Sequence, residues 1–288
     1  MILHSSELII NPDGSIYHLN VHPEDIADLI ITVGDPDRVK MISKYMSKVT
    51  TEKRKREFYT ITGWIEGKEV TVIGTGIGTD NIDIVLSELD AVVNIDFKSR
   101  KVKEKKRQLT FCRIGTSGSL RDEIEVESVV ASYAAIGMEG LMHYYSLPQS
   151  DVENMISLEV KRRIEDDLPD VVPYTVMSTW SCWDKIPSQI IKGITLTAGG
   201  FYGPQGRALR LRPRDPYFLN KMEQVHWNGI PVTNLEMETS AIYGLSRLMG
   251  HEAVSFNVIL ANRKTGHFCK NPKKAVEQLI EKVLGIIL

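Results

Sequence analysis

Apolar residues along this chain follow two alternating rhythms. Short apolar runs bounded by Gly, Pro, Asp or charged residues predict strands at Leu29–Val33, Phe58–Ile65, Glu69–Thr75, Leu109–Ile114, Glu127–Ala135, Tyr174–Ser178, Ile194–Ala198, Val232–Leu235 and Ala253–Leu260. Between them, helical patterns fit Arg38–Met46, Asn81–Asn94, Val152–Asp166, Pro216–Trp227, Glu238–Leu248 and Pro272–Ile287. Ile82, Val85, Leu86, Leu89 and Val93 give the second helix one apolar face, and Val276, Leu279, Ile280 and Val283 do the same for the last. Such stripes belong to a core. The alternation predicts an α/β fold in which a central mixed β-sheet is flanked by helices, as a single domain over residues 1–288.

Composition narrows the choices. With 288 residues, 42% of them hydrophobic, the chain has enough apolar surface to bury a substantial core. Its 35 basic and 37 acidic side chains leave a net charge of -2, so no global field holds nucleic acid or an anionic membrane, and neither is an expected partner. Any anionic ligand must be gripped locally. Cys112, Cys182 and Cys269 are far apart and lack metal-ligand spacing, which points to a reducing compartment and to no metal site. The N-terminal MILHSSELIINPDGS has neither a basic nor a long apolar signal region, and no later stretch reaches membrane-spanning length, so a cytoplasmic protein is expected. Residues Lys98 to Gln108 carry seven basic side chains without interleaved aromatics, as a solvated surface loop does.

The segment Gly74-Thr-Gly76-Ile-Gly78-Thr-Asp80 follows a strand and opens a helix, but a dinucleotide fingerprint would need glycine at Thr79. What remains is a tight turn whose backbone can approach a ligand or a neighbouring strand. Val33-Gly34-Asp35-Pro36-Asp37-Arg38 also passes from strand to helix, leaving free N–H groups near a guanidinium fork. Cys112-Arg113-Ile114-Gly115-Thr116-Ser117-Gly118 adds a second guanidinium with hydroxyls at what reads as another strand end. The two segments fit a convergent anion site. Taken singly, each is also what an ordinary surface turn with an ion-paired arginine looks like.

Together with Phe201-Tyr-Gly-Pro-Gln205-Gly-Arg207 and Asn234-Leu-Glu236-Met237-Glu238, these motifs resemble the nucleoside phosphorylase superfamily, and within it the uridine phosphorylases. The resemblance runs in order through Tyr17-His18-Leu19, Gly34 to Arg38, Arg56-Glu-Phe58, Gly74 to Gly78, Arg113 to Thr116, the two motifs just named and Asn262-Arg263. It implies phosphorolysis, in which inorganic phosphate attacks C1′ of a nucleoside, with no cofactor and no covalent nucleophile. In agreement, the sequence offers no convincing Ser/His/Asp or Cys/His set.

By matching motif, the resemblance implies that Gly34, Arg38, Arg113 and Thr116 bind phosphate, joined by Arg56 of a neighbouring subunit. It places Glu238 at the ribose hydroxyls, Met237 against the sugar and His18, again from the neighbour, at the 5′-hydroxyl. Gln205 and Arg207 would read the base, Phe201 would stack on it, and Arg113, Arg207 and Glu238 would be the catalytic set. Glu238 also fits a simple helix-start acid that complements the dipole, and His18 an ordinary packing histidine. Sites shared across a boundary imply a homodimer or higher homo-oligomer.

Purine-cleaving members of the family place an aspartate after the late strand. The segment Ile259-Leu-Ala-Asn262-Arg263-Lys-Thr has no acid, so a pyrimidine nucleoside is implied, most simply uridine. The sequence leaves open a phosphorylase for another or modified nucleoside, and a catalytically silent nucleoside-binding homologue. The chain departs from the family pattern by insertions at Lys98–Gln108 and through Trp180-Ser-Cys-Trp183 to Gly200, by the order Gly203-Pro204, and by Thr79-Asp80-Asn81 after the glycine turn. Either insertion is a candidate for narrowing the pocket.

Overall fold

A computed structural model of the chain describes residues 2–288. In chain order the strands are β1 Leu29–Val33, β2 Lys48–Lys55, β3 Phe58–Ile65, β4 Lys68–Gly74, β5 Ile95–Asp96, β6 Lys101–Val102, β7 Thr110–Ser119, β8 Val129–Gly137, β9 Tyr174–Met177, β10 Ile191–Thr197, β11 His226–Trp227, β12 Ile230–Glu236 and β13 Glu252–Asn262. The helices are α1 Pro36–Ser43, α2 Thr79–Asn94, α3 Asp151–Ile164, α4 Phe218–Glu223, α5 Thr239–Met249 and α6 Pro272–Ile287.

One mixed sheet of eleven strands runs β11-β12-β10-β8-β13-β7-β1-β4-β3-β2, with β9 added beside β8. The expected α/β architecture, a mixed sheet flanked by helices, is what the chain adopts. A further antiparallel contact between β12 and β7, Asn234 to Ser119 and Leu235 to Gly118, makes β12, β10, β8, β13 and β7 pair cyclically. Strands β4, β1, β7 and β13 are mutually parallel, so the turns after β1 and β4 leave the sheet side by side. The α2 stripe is fully buried on one face, and the α6 stripe packs on the other with Val254, Phe256 and α1. No helix among the described residues is long and apolar enough to cross a membrane.

Besides the short β5–β6 pair, which was not expected, three elements differ from expectation. Strand β2 reads KVTTEKRK, a polar sequence that edge position permits because one of its sides faces no other strand. The helix expected over Pro216–Trp227 is only six residues long. It ends before a hairpin in which Asn228 and Gly229 take φ of 47° and 78°, the backbone that an Asn-Gly pair favours in a two-residue turn. Finally, β7 runs on through Arg113 to Ser119, so Arg113 lies inside a strand and not at its end.

Of the two insertions, the second reaches the cleft beside Met237 only at its far end, where Gly199 is part of the wall. Arg100 donates to the carbonyls of Leu3 and His4, Lys103 to that of Val93, and Arg107 to that of Ile26, which ties the basic segment down and leaves Lys98, Lys101, Lys105 and Lys106 exposed. In the second insertion, Trp180 packs edge-on against Phe256 and Trp183 against Tyr133, with Ile186 and Ile190 joining the core beside α6. These residues precede β10, whereas the Phe201–Arg207 loop follows it.

Candidate functional site

Arg113 anchors the centre of the site. Its Nη2 donates to Glu238 Oε2 at 2.5 Å and lies 3.1 Å from Glu236 Oε2, and its Nη1 donates to Asn257 Oδ1 at 2.5 Å. The guanidinium fits there only because position 115 is glycine: a Cβ on Gly115 would stand 1.8 Å from Arg113 Nη1 and 2.7 Å from Asn257 Oδ1. Burial by itself lowers the Arg113 pKa, but the two glutamates outweigh it and raise it, so this arginine stays charged.

Arg38 approaches from the first turn of α1, which Asp35 caps through the Asp37 amide. Its Nη1 donates to the Ile114 carbonyl at 2.9 Å, next to Arg113 in β7. Arg38 is 8% exposed and Arg113 5%. Burial first, then the charge of Arg113, pushes Arg38 down to about 10. Two buried guanidiniums that repel one another form a place where an added anion is stabilised. Gly34 stands beside this pair in the turn after β1, packed close to the Gly76 carbonyl. Thr116 is half-buried farther along β7, and its hydroxyl has no hydrogen-bond partner among the described residues.

Glu236 and Glu238 divide two jobs that the sequence left on one residue. The Glu236 carboxylate accepts from the N–H groups of Glu238 and Thr239 and from Thr197 Oγ1, and so caps α5. Glu238, formally the residue before that helix, makes no side-chain cap. Its carboxylate instead joins Arg113 to the glycine turn, accepting the Gly78 N–H at 2.8 Å through Oε1. Burial raises its pKa and the charge of Glu236 adds to that, against the pull of Arg113 and of the Gly78 amide. Met237 lines a cleft of about 330 Å³ together with Gly78, Glu139 and Gly199, with Ile77 and Tyr144 also on its wall.

A second cluster gathers Phe201, Gln205 and Arg207. Gln205 is buried, its Oε1 accepts from Arg207 Nη1, and its Nε2 has no partner among the described residues. An orphaned amide donor in a buried position is costly unless something else occupies it. The Arg207 guanidinium sits 3.8 Å over the Phe201 ring, which is half exposed, so one face of that ring is already covered. Burial, and then the charge of Arg263, lowers Arg207 to about 10. Arg263 supports the loop by donating to the Gln205 carbonyl at 3.0 Å. Its side chain runs across Gly118, where a Cβ would come within 3.2 Å of its Cγ.

His18 and Arg56 form a third group. Arg56, at the β2–β3 turn with φ of 54°, stacks over the Tyr17 ring at 5.5 Å and donates to its hydroxyl at 3.4 Å. His18 meets the same ring edge-on at 4.7 Å. Among the described residues, no hydrogen bond or ion pair joins His18 or Arg56 to Arg38, Arg113, Glu238, Gln205 or Arg207. Sequence reasoning assigned no role to Glu236, Asn257, Gly115 or the side chain of Arg263. For Glu236, Gly115 and Arg263 a signal existed, since all three fall inside motifs that carried the resemblance; Asn257 had none.

The model of the phosphorylase superfamily matches residues 28–288. The chain belongs to that superfamily. It is 27% identical over 284 residues to the uridine phosphorylase of Thermococcus kodakarensis, covering 98% of this chain and 90% of that protein. To the uridine phosphorylase of Escherichia coli it is 27% identical over 261 residues, 87% of each chain. A Bacillus subtilis purine nucleoside phosphorylase of the DeoD type is 25% identical over 251 residues, 86% of this chain and 88% of that one. Among solved structures, a nucleoside phosphorylase of Trypanosoma brucei described as showing uridine phosphorylase activity superposes with a TM-score of 0.84 at 29% identity, over 97% of this chain and 99% of that one.

Proposed function

We propose that this superfamily member is a uridine phosphorylase, converting uridine and inorganic phosphate to uracil and ribose 1-phosphate. The observation that carries this reading is the buried Arg38–Arg113 pair, with Glu238 held on Arg113. Phosphate seated at the two guanidiniums, the Gly34 turn and Thr116 offsets their mutual repulsion and competes with Glu238 for Arg113. The Glu238 carboxylate is then free to accept from the ribose hydroxyls. A phosphate oxygen forms its bond to C1′ as the C1′–N bond breaks on the opposite face. The electron pair of the broken bond leaves on the base, which afterwards takes a proton.

In this reading the base lies in the Phe201–Gln205–Arg207 cluster. The free Gln205 Nε2 donates to a uracil carbonyl, and Arg207 stabilises the charge that collects on the ring. The late strand supports a pyrimidine over a purine. Its segment carries no acid, and the Asn262 side chain is spent on the carbonyls of Arg121 and Ile124 and on the amides of Lys264 and Thr265. The separate His18–Arg56 group fits residues delivered to another subunit's site, in a homodimer or higher homo-oligomer. No cofactor enters the reaction.

A nucleoside panel assayed for free base with and without phosphate tests the reading. Uracil release from uridine that requires phosphate and yields α-ribose 1-phosphate is expected. Equal release without phosphate indicates hydrolysis, and no release from any nucleoside indicates a silent binder; either overturns it.

A further inference from the structure

His18 is held by one carboxylate. Glu88, on α2, accepts the His18 backbone N–H with both oxygens at 3.0 Å, the Leu19 N–H at 2.9 Å, and lies 2.6 Å from His18 Nδ1. A carboxylate that takes these amides is an acceptor throughout, so the short contact to the ring needs a proton on Nδ1. The neutral imidazole is therefore the Nδ1–H tautomer, with its lone pair on Nε2. That nitrogen has no hydrogen-bond partner among the described residues, while the ring remains about a quarter exposed. The Tyr17 ring, edge-on at 76°, packs against the imidazole and resists its rotation.

We propose that Glu88 is a positioning residue that sets His18 Nε2 as a hydrogen-bond acceptor for the primary hydroxyl of the nucleoside, and so selects substrates able to donate there. This rests on the reading that His18 serves the ribose. A free 5′-hydroxyl gives its proton to Nε2. An ether at that position has none to give, and a 5′-phosphate dianion sets negative charge against the lone pair. The device thus separates nucleosides from their 5′-capped and 5′-phosphorylated forms. Glu88 lies on α2, which follows directly on Gly78, whose amide holds Glu238, so one rigid element positions groups for two sites.

Glu88→Gln isolates this role from folding. The amide oxygen still accepts the two backbone N–H groups, while its NH2 faces Nδ1 and reverses the tautomer to Nε2–H. The probes are uridine, 5′-O-methyluridine and 5′-deoxyuridine. In Glu88→Gln the preference in kcat/KM for uridine over 5′-O-methyluridine should fall about tenfold, the value of one hydrogen bond of about 1.4 kcal/mol. The rate with 5′-deoxyuridine should change little, and in a His18→Ala background Glu88→Gln should leave the preference unchanged. An unchanged preference in the single variant, or an equal fall without His18, overturns the inference. Histidine 15N NMR reads the tautomer with no turnover: Nδ1–H in the wild type and Nε2–H in Glu88→Gln support the assignment, and any other protonation pattern in the wild type overturns it. Absence of uridine cleavage by the wild type would sink the functional reading alone, leaving NMR to decide the tautomer.

Discussion

Arg113 and Glu238, 125 residues apart in sequence, meet at 2.5 Å inside the protein, and the second oxygen of Glu238 takes the Gly78 amide. The Arg113 guanidinium, the Glu238 carboxylate and the glycine turn are therefore one network. Removing either side chain takes from the other its shortest charged contact.

That coupling predicts an asymmetry between two substitutions. Glu238→Ala should cost about 3 to 5 kcal/mol of stability less whatever Glu236 recovers at 3.1 Å, because it strands the Arg113 charge. Replacing both residues by apolar ones of similar volume should cost less than the sum of the single changes. Chemical denaturation of the four proteins of a double-mutant cycle measures the coupling, and simple additivity would contradict it.

Gly115→Ala should lower activity sharply through Arg113 without replacing any charged residue. The new methyl would occupy the space of Arg113 Nη1, so the guanidinium must leave. Displacement by about 1 Å is expected to lower kcat/KM roughly a hundredfold or more. Steady-state kinetics at varied phosphate checks this, and an unchanged KM for phosphate with normal kcat would contradict it.

At the base loop, stability and activity should move apart. Gln205→Leu removes a buried amide donor without a partner among the described residues, and with it the oxygen that accepts from Arg207, which keeps the Phe201 carbonyl. The two effects oppose, so the melting temperature should stay close to that of the wild type while discrimination against inosine weakens. Arg207→Ala should lower kcat more than it raises KM, by about a hundred- to thousandfold, since the charge it stabilises appears only as the bond breaks. A normal kcat in Arg207→Ala would remove the base from this loop.

Arg56 contacts Tyr17 and none of the Arg113 network, so inactive Arg56→Ala and Arg113→Ala proteins should complement each other when co-expressed. About a quarter of wild-type activity is expected from random dimers, since half are hybrids and half the sites in a hybrid are intact. Confirmed hybrids that remain inactive would show that Arg56 acts elsewhere.

Acid stability should depend on Glu153. It completes a capping box with Ser150 at the start of α3 and accepts from Arg247 at 2.5 Å and from the Met177 amide at 2.7 Å. Burial raises its pKa, but Arg247 and the amides of Ser150 and Met177 outweigh burial and hold it below 4.5. The unfolded chain therefore takes up the proton first on acidification. The stabilisation is full above pH 4.5 and is lost as pH falls through the lower folded value. The melting temperature of Glu153→Gln should lie below that of the wild type at pH 7, and the gap should close in acid; a constant gap would contradict this.

Sequence alone determined the elements whose periodicity reports burial. The α2 and α6 stripes were legible because their apolar positions face the core in a fixed repeat, and the strands Leu29–Val33 and Phe58–Ile65 because they are short, almost wholly buried runs between turn-forming or charged residues. The motif order likewise fixed the family, since short-range signatures survive without any fold in hand. Tertiary structure decided what depends on partners distant in sequence. Polar β2 becomes a strand only by pairing along β3, and the tryptophans before β10 are core residues only because Phe256 and α6 lie against them. Glu236 and Glu238 are two residues apart and chemically identical. Only the fold, by bringing Thr197 to one and Arg113 with Gly78 to the other, makes the first a helix cap and the second the bridge between a buried arginine and the glycine turn.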